Sequence, residues 1–386
     1  MNLISHLRNS LLSSKRKVQT NSLDSLLWLV NVVPSFFGFS IRADKVWVPF
    51  WIVHYSLLFY IYGVGVFVYQ WKHAKGAEEF IKSYFSLSIF TLVLNNSWWW
   101  WKERALLKAI LKDIDKSDRL SRRSPIFEER HEKLVKIIRW IILIFYGTNI
   151  SNAVLVYWPN RVDLGGKYCM TPCVGLEPLT RSPNAEICRI MLFVQEVLIS
   201  TVVLNFQALL LLLIAHTSVM YRLMSQEMMM LNENVPDIKA VAKELLPSLI
   251  CRHSLTLDVV DKLKSLYSVP LGVNFGTNAV CICLFCYLPL QEWLKFMPIL
   301  VYCFLLYFLY CFLGQGLINA SEDFERAVYC CGWENFDLKE KKLVYVMLRQ
   351  AQKPIQLLAA DIIPVNIYTF ATTLQGVFKF VTVVKF

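Results

Sequence analysis

The stretch from Val197 to Tyr221, VLISTVVLNFQALLLLLIAHTSVMY, decides the fold because it contains no Asp, Glu, Lys or Arg. About 20 apolar residues in a helix cross the roughly 30 Å hydrocarbon core of a bilayer, so this stretch is long enough to span it. The whole chain is 56% hydrophobic and 18% charged, whereas globular proteins are about 45–50% apolar and about 25% charged. The sequence therefore predicts a membrane protein.

Six further runs of the chain lack charged residues almost throughout. The last run is free of charge up to Phe378, and it reaches residue 384 if Lys379 extends to the membrane surface or faces water. We therefore expect an all-α membrane protein that forms a single domain with seven transmembrane helices. The predicted spans are 46–71, 83–101, 140–160, 197–221, 265–291, 296–321 and 362–384.

The distribution of basic residues predicts the orientation. With a cytoplasmic N-terminus, 30 Lys and Arg residues lie in the inner segments and 10 in the outer segments, as the positive-inside rule requires. Three long loops then lie inside, and two of the three outer loops are short. We expect the net charge of +11 to face the anionic lipid of the inner leaflet, and we expect no nucleic acid as a partner.

The inner segments carry amphipathic helical patterns. In 102–139, charged residues recur at helical spacing and one apolar stripe runs along the same helix, and 222–264 repeats the pattern. Residues 322–361 are also charged and patterned like a soluble helix. Apolar faces outside the membrane need a partner, so we expect these helices to extend from the bilayer and pack together as a cytoplasmic anchor domain. The stripe consists of Leu106, Leu107, Ile110, Leu111 and Ile114.

The N-terminal patch from Leu23 to Phe39 is apolar but contains Asp24 and Pro34. It is too interrupted to span a bilayer, and we expect an interfacial or re-entrant segment packed against the bundle.

Cysteine usage is divided between spans and one outer loop. Cysteines within spans are most often small buried apolar residues. Cys169, Cys173 and Cys188 share the second outer loop, where one disulfide and one free thiol are possible, and the sequence does not select the pair. Neither a metal-ligand spacing nor a nucleophile motif nor a phosphate loop is present, so we expect no metal, no cofactor and no enzyme. The cysteines in spans are Cys281, Cys283, Cys286, Cys303 and Cys311.

Polar residues interrupt the outer halves of several spans. Each one alone is more often an interhelical hydrogen-bonding group. Together, on one side of the membrane, they favour a mostly apolar small-molecule pocket with a few hydrogen-bonding groups. These residues are Asn149, Ser151, Asn152, Gln195, Glu196, Tyr302 and Tyr307.

Three motifs near the C-terminus carry a resemblance. The stretch AVYCCGWE at 327–334, LRQAQKP at 348–354, and Pro364 followed by Thr369-Phe370 occur in an order and spacing that resemble the insect odorant receptor family. The likeness is specific over residues 322–386, and elsewhere it concerns length and architecture. Phe370, where the sister gustatory receptors have Tyr, argues against that group.

The resemblance implies a subunit of a tetrameric ligand-gated cation channel in the plasma membrane of olfactory sensory neurons. A ligand-tuned subunit assembles with a shared co-receptor subunit. This chain lacks the co-receptor's long insertion in the second cytoplasmic loop, so it resembles a tuned subunit. The odorant, a small volatile, is expected between segments 2, 3, 4 and 6. The implied ligand-binding residues are Phe85, Ser88, Thr91, Asn149, Ser151, Asn152, Met191, Gln195, Ile199, Tyr302 and Leu306.

The resemblance also implies that the last helix of each subunit lines the central pore. Val383 falls where the family places its apolar gate, and helical spacing puts Lys379 and Phe386 near the same face. A lysine that faces a cation pore is repulsive. We therefore expect the partner subunit to dominate conduction, unless Lys379 points away from the pore.

Two other classes are alternatives. A seven-helix G-protein-coupled receptor would need an extracellular N-terminus, an Asp-Arg-Tyr motif after the third span and an Asn-Pro-x-x-Tyr motif late in the seventh. Both motifs are absent, and the PVNIY at 364–368 lies at the start of the last segment. A transporter would need interrupted helices with intramembrane charges, but these spans are nearly free of charge.

Overall fold

The computed structural model describes residues 23–37, 40–41, 47–73, 76–122, 127–157, 159, 173–179, 181–232, 238–285 and 290–385. In this part the chain is helical apart from short connections. A two-residue antiparallel hairpin, β1 (Leu358–Ala359) and β2 (Ile363–Pro364), precedes the last helix. The helices are α1 Leu23–Phe36, α2 Val48–Leu58, a π-helical segment π1 Phe59–Gly65, α3 Val66–His73, α4 Ala77–Lys102, α5 Arg104–Ser121, α6 Phe127–Asn152, a second π-helical segment π2 Ala153–Tyr157, α7 Asn184–Met230, α8 Ile238–Phe285, α9 Leu290–Tyr329, a 3₁₀ turn Trp333–Asn335, α10 Leu338–Ala351 and α11 Ile367–Lys385.

Helix α7 is the central element. It has 47 residues, and every side chain from Leu209 to Ile214 is at most 1% exposed. A helix that is apolar all round is stable only when it is buried all round. It is surrounded by α1, α4, α6, α8 and α9, so the charge-free run 197–221 forms the axis of the bundle.

Five helical stretches of the described chain are long and apolar enough to cross a membrane. They agree with five of the seven predicted spans. α4 and α11 are not among the five. α4 contains Asn95 and Asn96 beside four tryptophans, and α11 contains Gln375 and Lys379. The five stretches are Val48–Lys72, Arg130–Leu155, Asn184–Met230, Lys239–Phe285 and Met297–Asn335.

The long helices continue well past their apolar runs. α8 has 48 residues, or about 72 Å at 1.5 Å per residue, whereas a bilayer with its headgroups is about 40–45 Å thick. The apolar stripe of α5 packs against α8, and Leu107, Ile110 and Ile114 are buried there. Nζ of Lys262 donates a hydrogen bond to Asp113 across this contact. The amphipathic faces of 102–139 and 222–264 therefore pack against each other.

The prediction of a helix through 322–361 is wrong in its extent. α9 ends at Tyr329, and Gly332 turns the chain with a φ of 73° in the left-handed region that glycine tolerates best. α10 then begins after Asp337, whose carboxylate pairs with Nζ of Lys239 (3.1 Å) and Lys243 (2.9 Å) at the start of α8. Hydrogen bonds from these lysines, with their charges, hold the pKa of Asp337 below its usual range.

The final helix begins five residues later than predicted. Oδ1 of Asn366 accepts a hydrogen bond from the backbone N–H of Thr369 at 2.8 Å, which is the geometry of an N-cap, so the helix starts at Ile367. The chain before it rests directly on α9. A Cβ atom placed on Gly314 would lie 2.1 Å from the carbonyl oxygen of Val365, so this contact requires glycine.

The N-terminal patch is a helix, α1, packed on α7, with Leu26 and Val30 fully buried. Oγ of Ser25 accepts a hydrogen bond from Nη2 of Arg139 on α6 at 2.9 Å. The segment therefore lies against the bundle, as the interrupted apolar pattern predicts.

Candidate functional site

One cavity lies between π1, α4, the C-terminal end of α6 with π2, the N-terminal half of α7, the C-terminal end of α8 and the N-terminal part of α9. Its volume is about 130 Å³, and its walls are mainly apolar. Polar groups enter it from α6 (Asn149, Asn152), α7 (Glu196), α8 (Asn278) and α9 (Tyr302). The lining residues are Tyr62, Phe85, Ser88, Ile89, Leu92, Val93, Asn149, Asn152, Ala153, Glu196, Ile199, Ser200, Val203, Leu204, Thr277, Asn278, Cys281, Ile299, Tyr302 and Cys303.

A chain of buried hydrogen bonds supports the floor of the cavity. Oη of Tyr302 donates to Oε1 of Gln207 at 2.7 Å, and Nε2 of Gln207 donates to Oδ1 of Asn274 at 3.2 Å. Nδ2 of Asn274 donates to the carbonyl oxygen of Pro270 at 2.9 Å. The chain connects α9, α7 and α8, and buried networks of this kind rigidify a site because each broken member leaves an unpaired polar group.

Two amide groups of the cavity wall are left without partners. Oδ1 of Asn152 and Nδ2 of Asn278 are buried and make no hydrogen bond to the described residues. A buried polar group without a partner costs about 1–3 kcal/mol. A ligand that bonds to either amide therefore gains this energy, and the cavity offers both a donor and an acceptor.

A disulfide fixes the chain that covers one wall of the cavity. Cys173 and Cys188 are bonded, with a Cα–Cα distance of 5.9 Å, and Cys169 lies outside the described residues. Oη of Tyr60 donates to the carbonyl oxygen of Val174 at 2.7 Å. Leu176 packs against a cluster of buried apolar residues, and some members of this cluster also line the cavity. The sequence alone did not select which cysteines of this loop form a disulfide. In the structure, the Cys173–Cys188 disulfide ties the loop to the start of α7.

The family of the chain follows from a comparison with known families. A model of the 7tm odorant receptor family matches residues 76–378, most of the chain. The chain belongs to the odorant receptor family. It is 29% identical to odorant receptor 67a of Drosophila melanogaster over 145 residues, which are 36% of each protein. It is 26% identical to the odorant receptor coreceptor of Aedes aegypti over 132 residues, 33% of this chain and 28% of that protein. The match therefore covers only about a third of the length of these relatives.

Solved structures share the fold of this odorant receptor along almost its full length. The olfactory receptor OR5 of Machilis hrabei superposes with a TM-score of 0.71 at 11% identity, over 94% of this chain and 98% of that one. The same receptor in complex with eugenol gives a TM-score of 0.70 at 12% identity, over 94% and 97%. The all-α membrane fold is thereby confirmed, and at this identity the likeness concerns the fold alone.

Six of the eleven candidate ligand-binding residues of the receptor line the cavity together. The other five lie elsewhere. Thr91 and Ser151 are exposed, and each donates its hydroxyl to the carbonyl four residues earlier. Met191 is half-buried, Leu306 lies in the main core, and Gln195 is buried with both amide atoms unpartnered among the described residues. The six residues at the cavity are Phe85, Ser88, Asn149, Asn152, Ile199 and Tyr302.

The sequence missed the contributions of the first and fifth segments. Tyr62 enters the cavity from π1, and Thr277, Asn278 and Cys281 enter it from α8. The adjacent Thr277-Asn278 pair inside an apolar run was a usable signal, because an asparagine in a span has more hydrogen-bonding groups than its own helix satisfies. Tyr62 gave no signal beyond its presence in a span.

The receptor's last helix has two unlike faces. One face packs on α9, where Thr373 and Tyr307 share a hydrogen bond at 2.7 Å and the rings of Phe370 and Tyr307 lie 5.5 Å apart. The opposite face is exposed along its whole length, and Val383 is 80% exposed. Phe386 lies outside the described residues. We call this exposed face the open stripe, and it consists of Tyr368, Thr372, Gln375, Lys379 and Val383.

Proposed function

We propose that the protein is the odorant-binding subunit of a heteromeric, ligand-gated, non-selective cation channel. The observation that carries the proposal is the cavity, which is mostly apolar and lined by seven helical elements, and in which two buried amide atoms, one on Asn152 and one on Asn278, have no partner among the described residues. Cavities with this balance of apolar wall and few polar groups suit small organic ligands. The charge-free spans and the absent signature motifs leave a G-protein-coupled receptor as the weaker alternative.

The ligand class follows from the size and lining of the cavity. An apolar cavity of about 150 Å³ holds one benzene molecule, and this cavity measures about 130 Å³. We propose a small volatile with one aromatic or heterocyclic ring and one hydrogen-bonding group directed at Asn152 or Asn278. The fold neighbour solved in complex with eugenol carries a ligand of this class.

The topology we propose has seven spans, with α4 and α11 crossing the bilayer beside the five apolar helices. The N-terminus is cytoplasmic, and α5, α10 and the ends of α7, α8 and α9 form the anchor domain below the membrane. The apolar contact between α5 and α8 supports this arrangement, because such a contact outside the bilayer needs burial. The proposed location is the plasma membrane of olfactory sensory neurons.

The partner we propose is the shared co-receptor subunit, in a tetramer with a central pore. The similarity to a mosquito coreceptor supports a common subunit architecture. The open stripe on α11 is not covered by the described residues of the chain, and we propose that it faces the pore and the neighbouring subunits.

The decisive experiment is to express the chain with the co-receptor and to record from excised patches while volatiles are applied. We expect odorant-evoked cation currents within milliseconds and without nucleotides or G protein. A response that requires GTP, or an N-terminal tag that is reached from outside intact cells, would favour the G-protein-coupled receptor instead.

The open stripe can be tested by cysteine substitution. With Thr372→Cys or Gln375→Cys, a charged methanethiosulfonate reagent applied to the open channel should reduce the odorant current, because these side chains are exposed on the stripe. Leu374→Cys is the matched control, since Leu374 is half-buried on the other side of the helix. Equal sensitivity of all three variants would show that the stripe does not face the pore.

A further inference from the structure

Three metal-ligating side chains meet far from the cavity, where α5, α6 and α7 converge. Asp118, His131 and His216 are 7%, 8% and 0% exposed. Their ligand atoms all lie within 4.8 Å of one another. Nε2 of His216 lies 3.3 Å from both carboxylate oxygens of Asp118, and the rings of the two histidines form an edge-to-face pair with centroids 5.9 Å apart.

One of these distances matches the spacing of two ligand atoms in a tetrahedral metal site. Zinc binds histidine nitrogen and carboxylate oxygen at about 2.0–2.1 Å, so two ligand atoms of a tetrahedron lie about 3.3–3.4 Å apart. The separation between His216 and Asp118 has this value. The wider separations, up to 4.8 Å, leave space for an ion between the three ligands and for a water molecule in the fourth position.

The donor set favours a divalent transition metal over Ca²⁺ or Mg²⁺. Two imidazoles and one carboxylate are typical ligands of Zn²⁺ and of neighbouring metals, whereas the alkaline-earth ions prefer oxygen alone.

The site also has an entry path. Asp118 lines a crevice of about 570 Å³ between α1 and α5 that opens to solvent. Asp24 and Asp115 line the same crevice with Asp118, and they face the four cations Lys108, Lys112, Arg119 and Arg122, so the crevice has no strong attraction for cations by charge. An ion that passes through it is held by coordination, which requires the three ligands together.

We propose that Asp118, His131 and His216 bind a Zn²⁺-class divalent metal ion that ties α5, α6 and α7 together. Two of these helices reach the cavity at their other ends: α6 through Asn152, and α7 through Leu204, about 18 Å from His216 at 1.5 Å per residue. α5 continues α4, which lines the cavity with Phe85. A bound ion fixes the positions of α5, α6 and α7 relative to one another.

The test uses Co²⁺, whose tetrahedral complexes absorb strongly in the visible range, with the purified full-length receptor free of any histidine tag. We expect one Co²⁺ per chain with the bands of a tetrahedral site. His216→Gln and Asp118→Asn should lose these bands. His253→Gln should keep them, because His253 is equally buried but lies outside the group.

A second variant separates loss of the site from loss of the fold. His131→Cys keeps a ligand at the same position, so its Co²⁺ complex should gain an intense near-ultraviolet thiolate-to-metal band, which a misfolded chain does not produce. If the wild-type chain elutes as a single species and binds no Co²⁺ at saturation, Asp118 and His216 are only a buried ion pair and the proposal is overturned. A His131→Cys chain that binds Co²⁺ without the thiolate band overturns it equally.

Discussion

Replacing Ser200 with phenylalanine should strongly weaken the odorant response while a direct agonist of the co-receptor still opens the assembled channel. Ser200 lies in the wall of a cavity of about 130 Å³, and a phenyl ring is about the size of the benzene that a cavity of about 150 Å³ accommodates. The ring fills the space that the odorant needs. We expect the half-maximal odorant concentration to rise at least about 100-fold, equivalent to about 2.8 kcal/mol of binding free energy.

Ser151→Phe is the matched control for this substitution. Ser151 carries the same side chain, but it is exposed and donates to the carbonyl oxygen of Gly147 at 3.0 Å, away from the cavity. Dose–response curves should be unchanged in this variant. If Ser200→Phe leaves the odorant response intact, the cavity is not the odorant site. If it removes both the odorant and the co-receptor responses, Ser200 serves assembly instead.

Replacing Arg252 with methionine should destabilise the protein by about 3–5 kcal/mol, because it leaves a buried carboxylate without its counter-charge. Nη1 of Arg252 on α8 lies 2.5 Å from Oε2 of Glu227 on α7, and both side chains are 2% exposed. This pair connects the two longest helices beyond the apolar run of α7. The thermal unfolding midpoint in detergent and the amount of protein at the cell surface should both fall.

A double variant tests the cause of this loss. Glu227→Leu combined with Arg252→Met replaces the pair by apolar side chains of similar volume, which is often neutral or stabilising in proteins, so stability should return close to that of the wild type. Arg326→Met removes an exposed pair with Asp323 and should change stability by no more than about 0.5 kcal/mol. A double variant as unstable as Arg252→Met would show that the ion pair itself is needed.

Five of the seven predicted spans agree with long apolar helices, because the bilayer imposes a length and an apolar composition that are visible in a single sequence. The rotation of each helix about its own axis could not be predicted. α7 is apolar on every side, so its hydrophobic pattern does not show which side faces the cavity. Thr91 and Ser151 illustrate the limit. Their hydroxyls are satisfied by the carbonyl one turn earlier, so such residues can face lipid as easily as a ligand.

Asparagine is more informative, because its amide has two donors and an acceptor that the local helix cannot all satisfy. Asn149, Asn152 and Asn278 all line the cavity. Contacts between residues that are far apart in the chain could not be predicted from the sequence. The Cys173–Cys188 pair, and the closeness of Val365 to Gly314, depend on how the loops rest on the bundle.

The two π-helical segments, Phe59–Gly65 and Ala153–Tyr157, border the cavity through Tyr62 and Ala153. A π turn holds one residue more than an α turn, and such turns are frequent at functional sites. Its conversion to α-helix rotates one flank of the helix by about 100° and advances it by about 1.5 Å, the angle and rise of one residue. The cavity wall thus contains two turns at which one residue of register is stored, and a shift of either turn to α-helix would move the side chains that line the cavity on one flank only.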